Sequence, residues 1–220
     1  MKIDILTLFP NMFEKVFDDS IIKRGIEDEK VKIEIHNFRN YSKDPHHKVD
    51  DTPYGGGAGM VLALQPIVDC LKKIKKDDSV VILLTPSGKV YNQTIAYQLS
   101  NKKHLILICG HYEGFDERLK NYCDMEISIG DYILSGGEIP AMVLVDTLIR
   151  LLPGVIKEES HLKESFESNL LDYPTYTKPR VFEGYEVPEV LLSGDHKKIE
   201  EYRNQERIRL TEKNRPDLIK

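Results

Sequence analysis

The sequence lacks the features that mark several common classes of protein. It has no run of about 18 uncharged apolar residues, which a membrane-spanning helix needs. Its three cysteines, Cys70, Cys109 and Cys123, are odd in number and lack the spacing of a metal or redox motif. The N-terminal apolar stretch contains Asp4 and no small-residue cleavage site, so we do not expect a signal peptide. These absences argue against a disulfide-rich or membrane-embedded protein and favour a globular protein of the reducing cytoplasm.

The overall charge gives little indication of nucleic-acid binding, because the formal net charge is −5. The charge is nevertheless uneven, since residues 196–220 hold eight Lys/Arg and five Asp/Glu. This segment predicts a charged helix from about Lys197 to Leu210. Such a helix either presents a solvated face or binds an anionic partner.

Strands and helices alternate over most of the sequence. Apolar patterns predict strands at 2–9, 79–85 and 104–109, and helices at 12–25, 65–76 and 92–100. Continuously apolar strands are typical of a parallel sheet that is covered on both faces. We expect Pro86 to end the second strand, and ligands of such sheets bind at the carboxyl ends of the strands.

Glycine is concentrated in three segments, 55–59, 110–114 and 130–137, which hold nine of the fourteen glycines. The first segment is not followed by the Gly-Lys-Ser/Thr of a P-loop, and no strand immediately precedes it as in dinucleotide folds. The third leads into a helix with Pro140 in its first turn. Because glycine lets backbone approach a ligand closely, we predict that the three segments converge on one pocket of adenine-like character.

The composition changes after Gly154. Residues 157–169 are polar with few apolar side chains and are predicted to form a flexible linker that orders when a partner binds. The expected organisation is an α/β domain of residues 1–156, this linker, and a small, mainly helical domain of residues 170–220. No metal site is predicted, because His46 and His47 lack partners at ligand spacing.

Six blocks of the sequence resemble bacterial tRNA (guanine-N1)-methyltransferases, in the family's order and over nearly the whole chain. The blocks are LTLFPNMF (6–13), YGGGAGM (54–60), GHYEGFDER (110–118), SIGDYILSGGEIPAM (128–142), YPTYTKP (173–179) and VPEVLLSGDH (187–196). The resemblance implies a SPOUT-type parallel α/β fold with a deep C-terminal trefoil knot, in a homodimer whose active sites are shared between subunits. It implies methyl transfer from S-adenosyl-L-methionine to N1 of guanosine 37, in the anticodon stem-loop of tRNA. The family's activity is associated with Mg²⁺, whose ligands this sequence does not identify.

The resemblance also implies the residues of a methyl-donor pocket. Those that match it are Pro86, Ser87, Gly88, Gly110, Tyr112, Glu113, Ile129, Gly130, Asp131, Tyr132, Ile133, Leu134, Gly136, Gly137 and Pro140. Arg150 matches a family arginine near the end of the helix that follows the knot. Thr52 and Ala58 depart from the family, in which arginine and proline are common at these positions.

The identity of the catalytic base is left open by the sequence. N1 of guanine is protonated and weakly nucleophilic at neutral pH, so a positioned carboxylate that removes this proton contributes roughly 10²–10⁴-fold. The family's Asp-Ser-Phe motif reads Glu164-Ser165-Phe166 here, and Asp172 is the second candidate. The catalytic set is therefore Glu164, Asp172 and Arg150, with Arg150 stabilising the charge that develops on O6.

Two other functions stay open. An RNA-binding module that keeps the fold without methyl transfer would account for Glu164 in place of an aspartate. An α/β enzyme for a different adenine nucleotide is the third alternative, although the sequence shows no phosphate-binding lysine or ribose-binding signature. Tyr112, Tyr132, Tyr173 and Tyr176 are either packing residues or, if exposed, platforms for an unstacked base.

Overall fold

The computed structural model describes residues 1–156 and 164–219 and consists of two compact units, Met1–Ile156 and Lys157–Lys220. The first part of the predicted linker, residues 157–163, lies outside the described residues. Its remaining residues, 164–169, form a turn within the second unit.

A parallel sheet forms the centre of the first unit. Its strands are β1 (Lys2–Thr7), β2 (Lys32–Asn37), β5 (Ser79–Val90), β6 (His104–Cys109) and β7 (Met125–Ser128). They are arranged in the order β2-β1-β6-β5-β7, and all neighbours are parallel. The short strands β3 (Asp50–Asp51) and β4 (Val61–Leu62) form a separate antiparallel pair. The parallel α/β sheet expected from the apolar strands is confirmed.

Helices cover both faces of this sheet. They are α1 (Glu14–Phe17), α2 (Ser20–Glu27), α3 (Leu64–Ile74), α4 (Gln93–Ser100) and α5 (Glu138–Arg150). One apolar cluster joins Ile3 and Ile5 of β1 to side chains of α2, α4 and α5. A second cluster joins Leu6 of the same strand to α3. Adjacent side chains of one strand thus bury opposite faces, as the pleat requires.

Two local predictions are wrong. The helix expected at 12–25 is divided, because the Asp19 carboxylate accepts a 2.7 Å hydrogen bond from the Ser20 N–H and starts a new helix there. The strand expected to end at Pro86 continues as β5 to Val90. Its register against β7 shifts between Leu84 and Lys89, and proline is tolerated at such an irregularity.

The second unit is smaller and carries few buried side chains in its described part. It contains a hairpin of β8 (Val181–Phe182) and β9 (Tyr185–Glu186), then α6 (Glu189–Leu192) and α7 (His196–Asn214). The Asp195 carboxylate caps α7 by accepting a hydrogen bond of 3.2 Å from the Lys198 N–H. Helix α7 is longer than the helix predicted at 197–210. In both described ranges, every helix is too short or too polar to cross a bilayer.

Candidate active site

A cavity of about 410 Å³ lies beside the part of β5 where its register shifts and at the carboxyl ends of β6 and β7. Its walls come from 83–87, 110–120 and 127–140. This volume lies in the range of small-molecule sites, and the position is the one at which parallel sheets bind ligands. The cavity is therefore the candidate binding site of the first unit.

Thirteen of the fifteen residues predicted for the methyl donor line this cavity. The exceptions are Gly88 and Asp131. Gly88 packs against β7 so closely that a Cβ there would lie 2.5 Å from the carbonyl carbon of Glu126. Asp131 is exposed. The thirteen are Pro86, Ser87, Gly110, Tyr112, Glu113, Ile129, Gly130, Tyr132, Ile133, Leu134, Gly136, Gly137 and Pro140.

The expected convergence of three glycine segments is wrong for 55–59, which does not line the cavity. Gly59 of this segment has φ of +83° and lies against the side chain of Glu113. A Cβ at Gly59 would lie 2.5 Å from Oε1 of Glu113. The segment therefore packs against Glu113, and the cavity itself is lined by the other two glycine segments.

Backbone packs directly on backbone where the second and third glycine segments meet. The Gly137 N–H donates a 2.8 Å hydrogen bond to the Gly110 carbonyl, and His111 pairs with Gly136 as an antiparallel bridge. A Cβ at Gly137 would lie 2.6 Å from Cα of Cys109. Glycine is thus required at 137 because no side chain fits between the start of α5 and the end of β6.

His111 is a cavity residue that the sequence did not single out, although it stands in the block GHYEGFDER. Its ring lies between those of Phe9, at 4.7 Å between centroids, and Tyr112, at 5.1 Å. Its Nδ1 atom is buried and has no hydrogen-bond partner among the described residues. Leaving a buried polar atom without a partner is unfavourable, so this nitrogen is a candidate contact for a ligand.

The charged side chains of the cavity are mostly acidic. Glu113, Asp116 and Glu117 supply three carboxylates, and Lys120 supplies one ammonium group. The guanidinium of Arg118 bonds to the Asp116 carboxylate and lowers its pKa, which keeps that group ionised. Lys120 in turn pairs with Glu117 at 2.7 Å, so Glu113 is the cavity carboxylate without an ion pair among the described residues, and its charge favours a ligand that carries positive charge.

Arg150 does not line this cavity, and Glu164 and Asp172 belong to the second unit. Arg150 is the last residue of α5 and is half-buried. Glu164 and Asp172, both half-buried, belong to one short loop of the second unit. The Asp172 N–H closes this loop with a 3.0 Å hydrogen bond to Oγ of Ser165. The structure thus brings the two candidate bases into one local element.

A possible cation site exists elsewhere in the first unit. Within the part of the chain that the structure describes, Asp4, Glu34 and His36 form the one group of three ligating side chains, with atoms within 4.8 Å of one another. The Lys2 ammonium lies 2.9 Å from both carboxylates and already neutralises them. None of the three lines the cavity, and the ion pair explains their arrangement without a metal.

Comparison with known proteins places the chain in a family. The family model described as tRNA (Guanine-1)-methyltransferase TrmD matches residues 1–220. The chain belongs to this tRNA (guanine-1)-methyltransferase family. A tRNA (guanine-N(1)-)-methyltransferase of Malacoplasma penetrans is 63% identical over 219 residues, covering 100% of this chain and 97% of the relative.

Other curated members of the family are also similar along their whole length. The protein of the same name from Endomicrobium trichonymphae is 54% identical over 232 residues, covering 100% of both chains. The one from Clostridioides difficile is 54% identical over 226 residues, covering 100% of this chain and 98% of the relative. The family resemblance stated from the six sequence blocks is therefore confirmed.

Proposed function

We propose that this chain transfers a methyl group from S-adenosyl-L-methionine to N1 of guanosine 37 in tRNA, 3′ of the anticodon. The observation that carries the proposal is family membership over the full length of the chain. The similar proteins are named for methyl transfer to guanine N1 of tRNA. The location, volume and charge of the cavity support the same conclusion.

The methyl donor is proposed to bind in the cavity of the first unit. Backbone at 110–114 and 130–137 forms its walls, so amide and carbonyl groups are available to read an adenine edge. The carboxylate of Glu113 favours the positive charge of a sulfonium, and Nδ1 of His111, which has no partner among the described residues, offers one further polar contact. When bound, the donor supplies a methyl group that its sulfonium already activates.

The target guanine needs a base and a stabilising cation. Glu164 or Asp172 would accept the proton from N1, which makes that nitrogen nucleophilic. Arg150 would stabilise the negative charge that then spreads to O6. Fixing the two reactants in line lowers the remaining barrier by reducing the entropy that the reaction must lose.

The first unit is proposed to contain a deep trefoil knot formed by its C-terminal part. Support comes from the closeness of packing at Gly88 and Gly137, where strand and helix segments meet backbone to backbone. These contacts show close packing, and the knot itself is what the family resemblance implies.

The active form is proposed to be a homodimer with two active sites shared between subunits. The first unit exposes a set of apolar side chains with relative exposures of 37–48%, and these suit a self-complementary interface: Phe9, Met12, Val16, Ile139 and Val143. In this arrangement the donor cavity of one subunit works with the catalytic loop of the other.

This arrangement gives each part of the chain its own role in the reaction. Residues 1–156 would bind the donor, residues 157–169 would form the linker that carries Glu164, and residues 170–220 would bind the anticodon stem-loop. The reaction would take place in the cytoplasm, where tRNA is found. No catalytic step is assigned to Mg²⁺, because the one described cluster of possible ligands is held by Lys2 and lies outside the cavity.

Incorporation of tritiated methyl groups tests the proposal. The chain, tritiated S-adenosyl-L-methionine and an unmodified tRNA transcript should give labelled tRNA, whereas a transcript with adenosine at position 37 should stay unlabelled. A chain that binds tRNA and never labels it would instead be an RNA-binding module. Calorimetry compares the affinities of the chain for S-adenosyl-L-methionine, NAD and ATP. Tighter binding of NAD or ATP would indicate an enzyme that uses a different adenine nucleotide.

A further inference from the structure

We propose that the second unit holds one unstacked nucleotide of the bound tRNA in a groove of its own. This nucleotide groove is lined by residues 173–178, Arg180, Val187, Leu191, Leu192, Ile199 and Arg203. Its volume is about 680 Å³, and all of its lining residues belong to the second unit. The inference rests on the proposed function, because it assumes that tRNA is the substrate.

Arg203 of α7 is the lining residue that most strongly indicates ligand binding in this groove. Its guanidinium carbon lies 4.7 Å from the ring centroid of Tyr173. Its Nε is buried and has no hydrogen-bond partner among the described residues. The Glu200 carboxylate lies 3.9 Å from the Nη1 atom, which is too long for a hydrogen bond. A buried guanidinium N–H of this kind requires an acceptor, which a nucleotide base or phosphate can provide.

The other side chains of the groove fit the same ligand. Tyr173 and Tyr176 supply aromatic rings, and Lys178 and Arg180 add two cations to Arg203. Leu191 and Ile199 contribute apolar surface. Aromatic rings and guanidinium planes stack on unpaired bases, while basic side chains contact phosphates. The combination therefore suits a base with its phosphate better than a purely apolar segment.

The charge of the nucleotide groove contrasts with that of the donor cavity. None of the described residues that line the groove is acidic, and three are basic. The donor cavity has three carboxylates and one ammonium group. The groove, unlike the donor cavity, is therefore complementary to a polyanion.

An exposed tyrosine gives the first test. Tyr176 lines the groove and is 48% exposed, and Tyr185 on β9 is 80% exposed and does not line it. We expect Tyr176→Leu in the full chain to weaken binding of an unmodified tRNA transcript about tenfold, as loss of one base stack does. The control Tyr185→Leu should bind like the wild type. Because stacking releases few counterions, the salt dependence of the Tyr176→Leu affinity should stay unchanged.

Paired arginine variants give the second test. Arg203→Gln should weaken tRNA binding about tenfold, whereas Arg209→Gln should change it less than twofold. Arg209 is a matched control because it lies on the same helix and is held by Glu206 at 2.9 and 2.6 Å. Arg180→Gln should lower the slope of log affinity against log salt by about one, as loss of a phosphate contact does.

The outcomes distinguish this inference from the proposed function. Wild-type tRNA affinity in both Tyr176→Leu and Arg203→Gln would overturn the groove. Equal losses in Arg203→Gln and Arg209→Gln would overturn it too, because they would indicate diffuse electrostatic attraction. If the wild-type chain methylates tRNA while either result is found, only the groove is wrong. Thermal unfolding identifies an Arg203→Gln chain that fails to fold, and Tyr176→Leu then decides, since an exposed side chain contributes little to folding.

Discussion

The Thr7 hydroxyl donates a 2.7 Å hydrogen bond to Oε1 of Glu138, and both side chains are buried. Thr7 is the last residue of β1, and Glu138 is the first of α5. The same hydroxyl oxygen accepts a 2.8 Å hydrogen bond from the Phe9 N–H. The bond therefore fixes the start of α5, directly after the Gly136–Gly137 wall of the donor cavity.

Thr7→Val should destabilise the chain and weaken donor binding. Valine keeps the shape of threonine but leaves the buried Glu138 carboxylate without its partner, which costs about 1–3 kcal/mol. Urea unfolding measures the loss, and calorimetry measures the affinity for S-adenosyl-L-methionine. The exposed Thr52→Val is the control and should behave like the wild type. Unchanged stability in Thr7→Val would mean that Glu138 is held by other contacts.

Asp4 is expected to make the stability of the first unit depend on acid pH. Burial acts to raise the pKa of Asp4, but hydrogen bonds from His36, Lys2 and His104 outweigh it and hold the pKa well below its usual range. The two histidine Nε2 atoms lie at 2.6 and 2.5 Å, and Lys2 also pairs with Glu34. The unfolded chain thus binds more protons, so this stabilisation is full above about pH 4 and is lost as the pH falls further.

Asp4→Asn should reveal that contribution. At pH 7 we expect the variant to be less stable by about 1.5–3 kcal/mol, the range for hydrogen bonds to a charged group. Its stability should also fall less steeply than that of the wild type below about pH 4. Urea unfolding between pH 7 and pH 3 measures both effects, with the exposed Asp77→Asn as control. Parallel curves for Asp4→Asn and wild type would contradict the assignment.

His111→Phe should weaken donor binding while leaving the fold intact. Phenylalanine preserves the contact with the Phe9 ring and removes the Nδ1 atom that has no partner in the described part of the chain. Loss of one hydrogen bond of about 1 kcal/mol corresponds to a roughly fivefold loss of affinity for S-adenosyl-L-methionine. Calorimetry checks this, with the exposed His46→Phe, which does not line the cavity, as the control. A variant with wild-type affinity would show that the nitrogen does not contact the donor.

Much of the cavity could be predicted because its signals are local. Gly110, Gly136 and Gly137 stand in segments whose glycine content alone indicates close approach of backbone, and the apolar run before Gly110 predicts its strand. The continuation of β5 past Pro86 could not be read locally, since it depends on pairing with β7 about forty residues later. Likewise, Asp4 acquires its histidine partners from strands 32 and 100 residues away.

The catalytic loop shows a different limit of sequence reasoning. The sequence predicts Glu164 and Asp172 as alternatives, but no local pattern indicates that Ser165 closes a loop between them by accepting a hydrogen bond from the Asp172 N–H. The backbone of this turn has positive φ at Phe166, Ser168 and Asn169. A polar sequence without glycine does not predict positive φ at these positions. Choosing between the two carboxylates needs their positions relative to guanine, which are absent from any sequence pattern.

Amide variants should identify the catalytic base. We expect Glu164→Gln to lower methyl transfer at least tenfold while donor affinity stays near that of the wild type, because a general base contributes roughly 10²–10⁴-fold. Single-turnover transfer of a tritiated methyl group and calorimetry measure the two quantities. Glu164→Asp serves as the matched variant and should retain activity. A nearly silent Glu164→Gln together with an inactive Asp172→Asn would assign the role to Asp172.

A mixed dimer tests whether active sites are shared between subunits. One chain carries Ser135→Trp, which fills the donor cavity from an exposed position of its wall without the backbone collision that any side chain at Gly137 would cause. The other carries Glu164→Ala and Asp172→Ala. Each homodimer should be inactive, because either every cavity or every base is lost. In the mixed dimer, one site combines an intact cavity with an intact loop from the other chain, so about half of the wild-type activity per dimer should return.

Differently tagged chains, purified together and confirmed as dimers by light scattering, allow the measurement. A mixed dimer as inactive as its parents would place cavity and base in the same subunit.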